Sequence, residues 1–273
     1  MQSKNIKKSI LWVGFLLSCI ITYTACHTVA VSGRKQLLVF PASKMNAMSF
    51  EQYDQFLEQN NLSRNAAQTK IVKDCGHRIK DAVEKYMNEK GKASQIADFQ
   101  WEFNLVDDPT VNAWCMPGGK VVFYTGIMPI CQDETGVAVV MGHEVAHAIA
   151  NHGGERMSHQ AILNGVLTVM QSGENPSLTK SLLMQATGAS SQLGMLAFSR
   201  KHESEADYLG IIFMAMAGYD PTAAPDFWKR MSANSGGKTP PEFMSTHPSH
   251  DRRIQDLTGW IPEASGYYLK SQR

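Results

Sequence analysis

Residues 133 to 150 constrain this chain more than any other stretch, because Val137-Ala-Val-Val-Met141 runs directly into Gly142-His143-Glu144-Val145-Ala146-His147-Ala148-Ile149-Ala150 behind a capping Asp133. Such a segment predicts a helix that is apolar on nearly every face, and a helix of that kind has to lie inside the core. Yet it carries three ionisable side chains. Burying unpartnered ionisable groups costs several kcal/mol, so the fold must bring them strong partners. A metal ion is the economical one. His143 and His147 stand four residues apart, about one turn along and about 40° around the helix, so both imidazoles can meet one zinc through bonds of about 2.0 to 2.1 Å. Glu144 points beside them, too far round to be a third ligand on the same ion, and is placed to take a proton from a water held there.

A catalytic zinc needs one more protein ligand and an open position. The extended three-histidine zinc pattern would require glycine at position 150 and histidine at 153, whereas the chain has Ala150 and Gly153. His152 has the wrong phase. The alternative is a carboxylate from a second helix, and Ser199 to Gly210 opens one, with Glu203 and Asp207 four residues apart on one face. Glu203 is the candidate third ligand. Asp207 would accept the free ring N–H of a ligating histidine and fix its tautomer, while Glu205 points elsewhere. Acidic residues also favour helix N-termini for electrostatic reasons alone, and the His-Glu-x-x-His helix upstream tips the reading toward the metal.

The chain has 273 residues with 26 Lys+Arg against 25 Asp+Glu, a net charge of +1 that offers no basic surface for nucleic acid. Apolar residues make up 43% and charged residues 19%, as in a globular chain with a sizeable core. At the N-terminus Lys4, Lys7 and Lys8 precede an apolar run from Ile10 to Ala25, shorter than the roughly 20 residues that span hydrocarbon. This run reads as a signal peptide over residues 1–25. It resembles a bacterial lipoprotein signal with Cys26 as the lipidated first mature residue, an ordinary secretory signal or an uncleaved anchor being the alternatives. Either way the body lies outside the cytoplasm, and His27, by resemblance to bacterial sorting rules, points to the outer membrane. Cys75, Cys115 and Cys131 are then an odd number of thiols in an oxidising compartment.

Residues 26–44 lack periodicity and read as an N-terminal arm. Phe50, Tyr53, Phe56 and Leu57 mark a short helix, and residues 65–87 carry a 3.6-residue apolar period that ends at Gly91. Phe99, Trp101, Phe103 and Leu105 alternate as in a half-buried strand, and a second strand over Lys120 to Thr125 follows Pro117-Gly118-Gly119. Everything after Asp133 reads as helix and loop, so the class is α+β, mostly helical, with a small early sheet. Residues 153–197, rich in glycine, are a candidate movable cover, and residues 235–241 read as a connecting loop.

Four segments in this order, Asn112-Ala-Trp-Cys-Met-Pro-Gly-Gly-Lys120, His143-Glu-Val-Ala-His147, Phe198 to Asp207, and Ser245-Thr-His-Pro-Ser-His-Asp-Arg-Arg253, resemble the M48 zinc metallopeptidases over nearly all of the mature chain. The likeness is to the envelope lipoprotein members and the related mitochondrial inner-membrane peptidase domain. It implies a zincin-like (gluzincin) domain over residues 45–265 with a C-terminal tail at 266–273, one zinc per chain on His143, His147 and Glu203, Glu144 as base, and Asp207 in support. It also implies roles for His247 and Arg253 in steadying the oxyanion or contacting the zinc in a closed state, with His250 as a competing candidate. By the same likeness the Lys120–Thr125 strand would be the sheet edge beside the cleft, where a substrate peptide pairs in extended form. The expected function is a lipid-anchored zinc endopeptidase of the bacterial cell envelope, on the outer membrane facing the periplasm, acting on misfolded or misassembled proteins. A chaperone-like assembly factor whose zinc site is closed by His247 is the competing reading.

Overall fold

The computed structural model describes residues 26–29, 32–163, 200–234, 242–247 and 252–273. The signal peptide reading, His250, most of the candidate cover and the 235–241 loop lie outside them. In chain order the elements are β1 (Cys26–Thr28), β2 (Lys35–Leu37), α1 (Ala42–Gln59), α2 (Ala66–Glu89), β3 (Glu102–Val106), β4 (Ala113–Met116), β5 (Lys120–Tyr124), α3 (Met128–Cys131), α4 (Glu134–Ile149), α5 (His152–Leu163), α6 (Arg200–Met216), α7 (Ala223–Asn234), α8 (Glu242–Thr246) and α9 (Arg253–Ser271). The class is α+β and mostly helical, as expected. No described helix is long and apolar enough to cross a membrane.

The sheet separates two apolar layers by simple alternation. Phe103, Leu105, Cys115, Val121 and Phe123 face the main core with α2, α4 and α6. Their neighbours Val106, Trp114, Met116, Val122 and Tyr124 face the other way, where Tyr53, Phe56 and Leu57 of α1 cover them. Strands buried on both faces read as unbroken apolar runs rather than alternating ones, which explains why Ala113-Trp-Cys-Met116 gave no strand signal. Its presence corrects one expectation. The strand order is β3-β5-β4, with β5 parallel to β3 and antiparallel to β4. Lys120–Tyr124 is therefore the central strand, and β4 is the edge that packs against α4.

Two helices set the geometry of everything that follows. Asp133 caps α4 by accepting from the Gly136 amide at 2.8 Å, and α4 then runs buried through the core, crossing α6. At the crossing Gly142 meets Gly210 so closely that a Cβ on Gly142 would stand 2.6 Å from the Gly210 carbonyl oxygen. Interaxial distance depends on the side chains at the contact, so glycine on both helices brings the backbones together. The residues beside the crossing, His143 on α4 and Asp207 one turn earlier on α6, are thereby drawn into contact.

The stretch read as an aperiodic arm contains a short antiparallel hairpin, β1 with β2, pairing Cys26 to Leu37 and Thr28 to Lys35. Helix α1 begins at Ala42, inside the range expected for the arm, and extends well beyond the short helix expected around Phe50 to Leu57. Helix α2 agrees with its expected bounds to within two residues and is capped by Asn65, whose side chain accepts from the Gln68 amide.

Candidate metal centre

Four donor atoms from two helices, α4 and α6, and the turn after α8 converge in the core. His143 Nε2 lies 3.1 Å from His147 Nε2 and 3.2 Å from His247 Nδ1. Glu203 reaches the same point, with Oε1 at 3.1 Å from His247 Nδ1 and 3.4 Å from His147 Nε2, and Oε2 at 3.5 Å from His143 Nε2. The four residues offer one ligand atom each within 4.8 Å of one another. A tetrahedral ion with bonds of about 2.0 to 2.1 Å has ligand–ligand edges of about 3.3 Å, so this donor set fits a zinc-sized cation. All four side chains are 3% exposed or less.

The surroundings orient these ligands. His143 Nδ1 lies 2.9 Å from Asp207 Oδ1, and the same oxygen accepts from Arg253 Nη2 at 2.6 Å. Arg253 also places Nη1 3.2 Å from Glu203 Oε2 and lays its guanidinium over the Trp228 ring, 3.2 Å from the centroid. Phe243 stacks on His247 with centroids 4.7 Å apart, and its amide donates to the Val111 carbonyl just before β4. Burial pulls the His143 imidazole down, but bonds to Asp207 and Glu203 outweigh it and hold it at about 9. Burial drives His147 well below its ordinary value. Glu203 is pushed up by burial and brought far lower by His247, His143 and His147 around it.

Glu144 is also buried beside the cluster, its Oε1 3.5 Å from His247 Nε2 and accepting no hydrogen bond among the described residues. Burial raises its carboxyl above the ordinary carboxylate value, in the direction a general base needs to exchange a proton near neutral pH.

With this geometry in place, comparison with known proteins becomes decisive: residues 76–261 match peptidase family M48. The chain belongs to family M48. It is similar to mitochondrial metalloendopeptidase OMA1 of Schizosaccharomyces pombe, 39% identical over 173 residues that make up 63% of this chain and 50% of that protein. Human mitochondrial metalloendopeptidase OMA1 is 30% identical over 258 residues, 91% of this chain and 48% of that protein. The beta-barrel assembly-enhancing protease of Yersinia pestis is 30% identical over 166 residues, 57% of this chain and 33% of that protein. The chain thus spans about half the length, or less, of the curated relatives it matches.

Of the site residues expected from the sequence, the M48 domain brings His143, Glu144, His147, Glu203, Asp207, His247 and Arg253 into one buried cluster. Cys75, Cys115 and Cys131 are all free and buried; burial raises the Cys115 thiol well above its ordinary value, with the Glu144 charge adding to it. Sequence reasoning missed a second polar layer behind His147. The helix breaks at Asn151, whose φ is 54°, so His152 opens α5 rather than continuing α4, and its ring returns to within 2.8 Å of His147. Glu205, which faces away from the cluster, binds His152 and Arg34. The sequence offers no signal for this layer, because Glu155 and Glu205 lie among other polar residues of α5 and α6 and nothing local marks them as buried.

Proposed function

We propose that the chain is a zinc-dependent endopeptidase that hydrolyses peptide bonds in proteins, with His143, His147 and Glu203 as metal ligands. The carrying observation is the four-donor cluster with the buried Glu144 carboxylate beside it, whose Oε1 accepts no hydrogen bond among the described residues. A bound zinc would supply a Lewis acid for the scissile carbonyl and for water. Glu144 takes the proton of the attacking water and returns it to the leaving amine. His247 and Arg253 supply positive field for the developing oxyanion, His247 directly and Arg253 from its seat over Trp228, where it also holds Asp207 and Glu203 in place. Asp207 accepts the His143 Nδ1 proton and keeps Nε2 bare. The substrate runs along β4, main chain to main chain.

A specific observation favours a second state: His247 Nδ1 stands among the donors at 3.2 Å from His143 and 3.1 Å from Glu203, which completes a tetrahedron without water. In the chaperone-like alternative that closed state is permanent. In the endopeptidase reading His247 withdraws when substrate arrives.

The setting we propose is the bacterial cell envelope, with residues 1–25 removed and Cys26 lipidated on the periplasmic face of the outer membrane, and with misfolded or misassembled envelope proteins as substrates. The names of the relatives, a mitochondrial metalloendopeptidase and a protease that enhances β-barrel assembly, support the endopeptidase reading. Purified protein is expected to carry about one zinc, and Glu144→Gln is expected to keep it while cutting unfolded casein about 10²- to 10⁴-fold more slowly. A variant as fast as wild type would remove Glu144 from its role, and a zinc-loaded wild type that cleaves nothing would favour the closed alternative. Mass spectrometry showing an unmodified mature N-terminus would end the anchoring proposal.

A further inference from the structure

His147 has two ring nitrogens with different neighbours. Nε2 lies in the donor cluster, 3.1 Å from His143 Nε2. Nδ1 turns the other way and lies 2.8 Å from Nδ1 of His152. A contact that short between two ring nitrogens holds one proton, and its owner decides whether His147 Nε2 carries a lone pair or a hydrogen.

The next link decides the owner. His152 Nε2 lies 2.9 Å from Glu205 Oε2. That carboxylate is ionised, because Arg34 Nε donates to the same oxygen at 2.6 Å and the Ser32 hydroxyl donates to the other. An ionised carboxylate only accepts, so His152 Nε2 carries the hydrogen. His152 is fully enclosed and stacked on His202, with ring centroids 4.4 Å apart, and a neutral imidazole has a single N–H. Its Nδ1 is therefore a bare acceptor, the shared proton belongs to His147 Nδ1, and His147 Nε2 is left with its lone pair facing the cluster.

For His143 the proton on Nδ1 is held by Asp207 directly, at 2.9 Å. For His147 the immediate neighbour is another ring, which by itself has no preferred polarity, so the direction has to be imposed from further out. We propose that Arg34, directly before β2, is a positioning residue that acts through Glu205 and His152 to fix the metal-binding tautomer of His147. The inference rests on the reading of His147 as a ligand. Arg34 also donates through Nη1 and Nη2 to Glu155, at 2.9 and 2.7 Å, so the same guanidinium fastens the hairpin to α5. One guanidinium thus serves two separable contacts, the fastening to Glu155 and the line through Glu205.

The fork at Arg34 provides the discriminating experiment. Glu155→Gln weakens the fastening of the hairpin but leaves Glu205, His152 and His147 in line, whereas Arg34→Ala and Glu205→Gln break the line itself. Long-range proton–nitrogen NMR on the full metal-free chain is expected to show His147 protonated at Nδ1 in wild type and in Glu155→Gln, and a mixture of tautomers in Arg34→Ala and Glu205→Gln. Zinc affinity, measured by competition with a chromophoric chelator, is expected to fall about 10- to 100-fold in Arg34→Ala and in His152→Phe, and less than about 2-fold in Glu155→Gln. A wild-type His147 protonated at Nε2, or equal losses in Arg34→Ala and Glu155→Gln, would overturn the relay. A wild type that takes up no zinc would sink the ligand reading instead, and the tautomer measurement on metal-free protein would still decide the relay.

Discussion

Arg253 shows how much charge this core holds and how it is kept in balance. One guanidinium, 1% exposed, faces Asp207 and Glu203 together and lies flat on Trp228. A lysine could not fill that place, because a point charge cannot serve two carboxylates and an aromatic face at once. Glu155 is the corresponding residue in the outer layer. Burial pushes its carboxyl up, but His202 and Arg34 bring it down to about 2 from an ordinary 4.5. A carboxyl with a depressed folded value contributes stability that is complete above about pH 4.5 and fades as the pH falls toward 2. The hairpin should therefore loosen within that acidic window. Hydrogen exchange of the residue 32–37 amides is the measurement, and protection unchanged from pH 6 to pH 3 would contradict it. The ligands themselves were legible as spaced pairs in sequence, but Arg34 was not, since an arginine in an aperiodic arm has no pattern to set it apart from a solvated one.

At the scale of elements, the crossing of α4 and α6 is the joint on which the site depends. A Cβ on Gly210 would stand 2.9 Å from the His143 amide nitrogen, a backbone atom that cannot rotate away. Gly210→Ala should cost about 1 to 3 kcal/mol by overpacking and weaken zinc binding, because it parts the helix bearing Glu203 and Asp207 from the one bearing His143 and His147. Gly259→Ala on α9, where an added Cβ meets nothing within 4 Å, should leave the metal alone and gain up to about 1 kcal/mol from helix propensity. Urea unfolding with and without chelator reads both, and a Gly210→Ala protein of wild-type stability would show that the close approach is not needed. Helices α2 and α4 and strand β3 were legible because each carries a period or a cap. Strand β4 was not, because Ala113 to Met116 is buried on both faces, and a four-residue apolar run has no phase to read.

For the molecule as a whole, the site ties together segments far apart along the chain: α4, α6 and the turn after α8. A cation bound to all of them and to nothing in the unfolded chain stabilises by mass action, by about 2.7 kcal/mol when free zinc stands at 100 times its dissociation constant. Chelation should lower the melting temperature, and added zinc should restore it. A melting temperature indifferent to chelator would contradict a site that bridges these elements. The three buried free thiols add no cross-link of their own, so in the described part of the fold the ion would be the one long-range tie that can be removed by choice.

The amino-acid sequence alone determined the site helix, the spacing of His143 and His147, and the pairing of Glu203 with Asp207, because helical geometry converts a separation of four residues into a shared face wherever the helix lies. It also determined the α+β class, since period and punctuation are local properties. Only the tertiary structure decided which strand forms the edge, that His247 stands among the donor atoms, and that Arg34 of the arm reaches Glu205 behind His147. The strand order depends on pairing within residues 102–124, while the contacts of His247 with His143 and of Arg34 with Glu205 span 104 and 171 residues of chain and answer the demand that every buried charge find its counterpart.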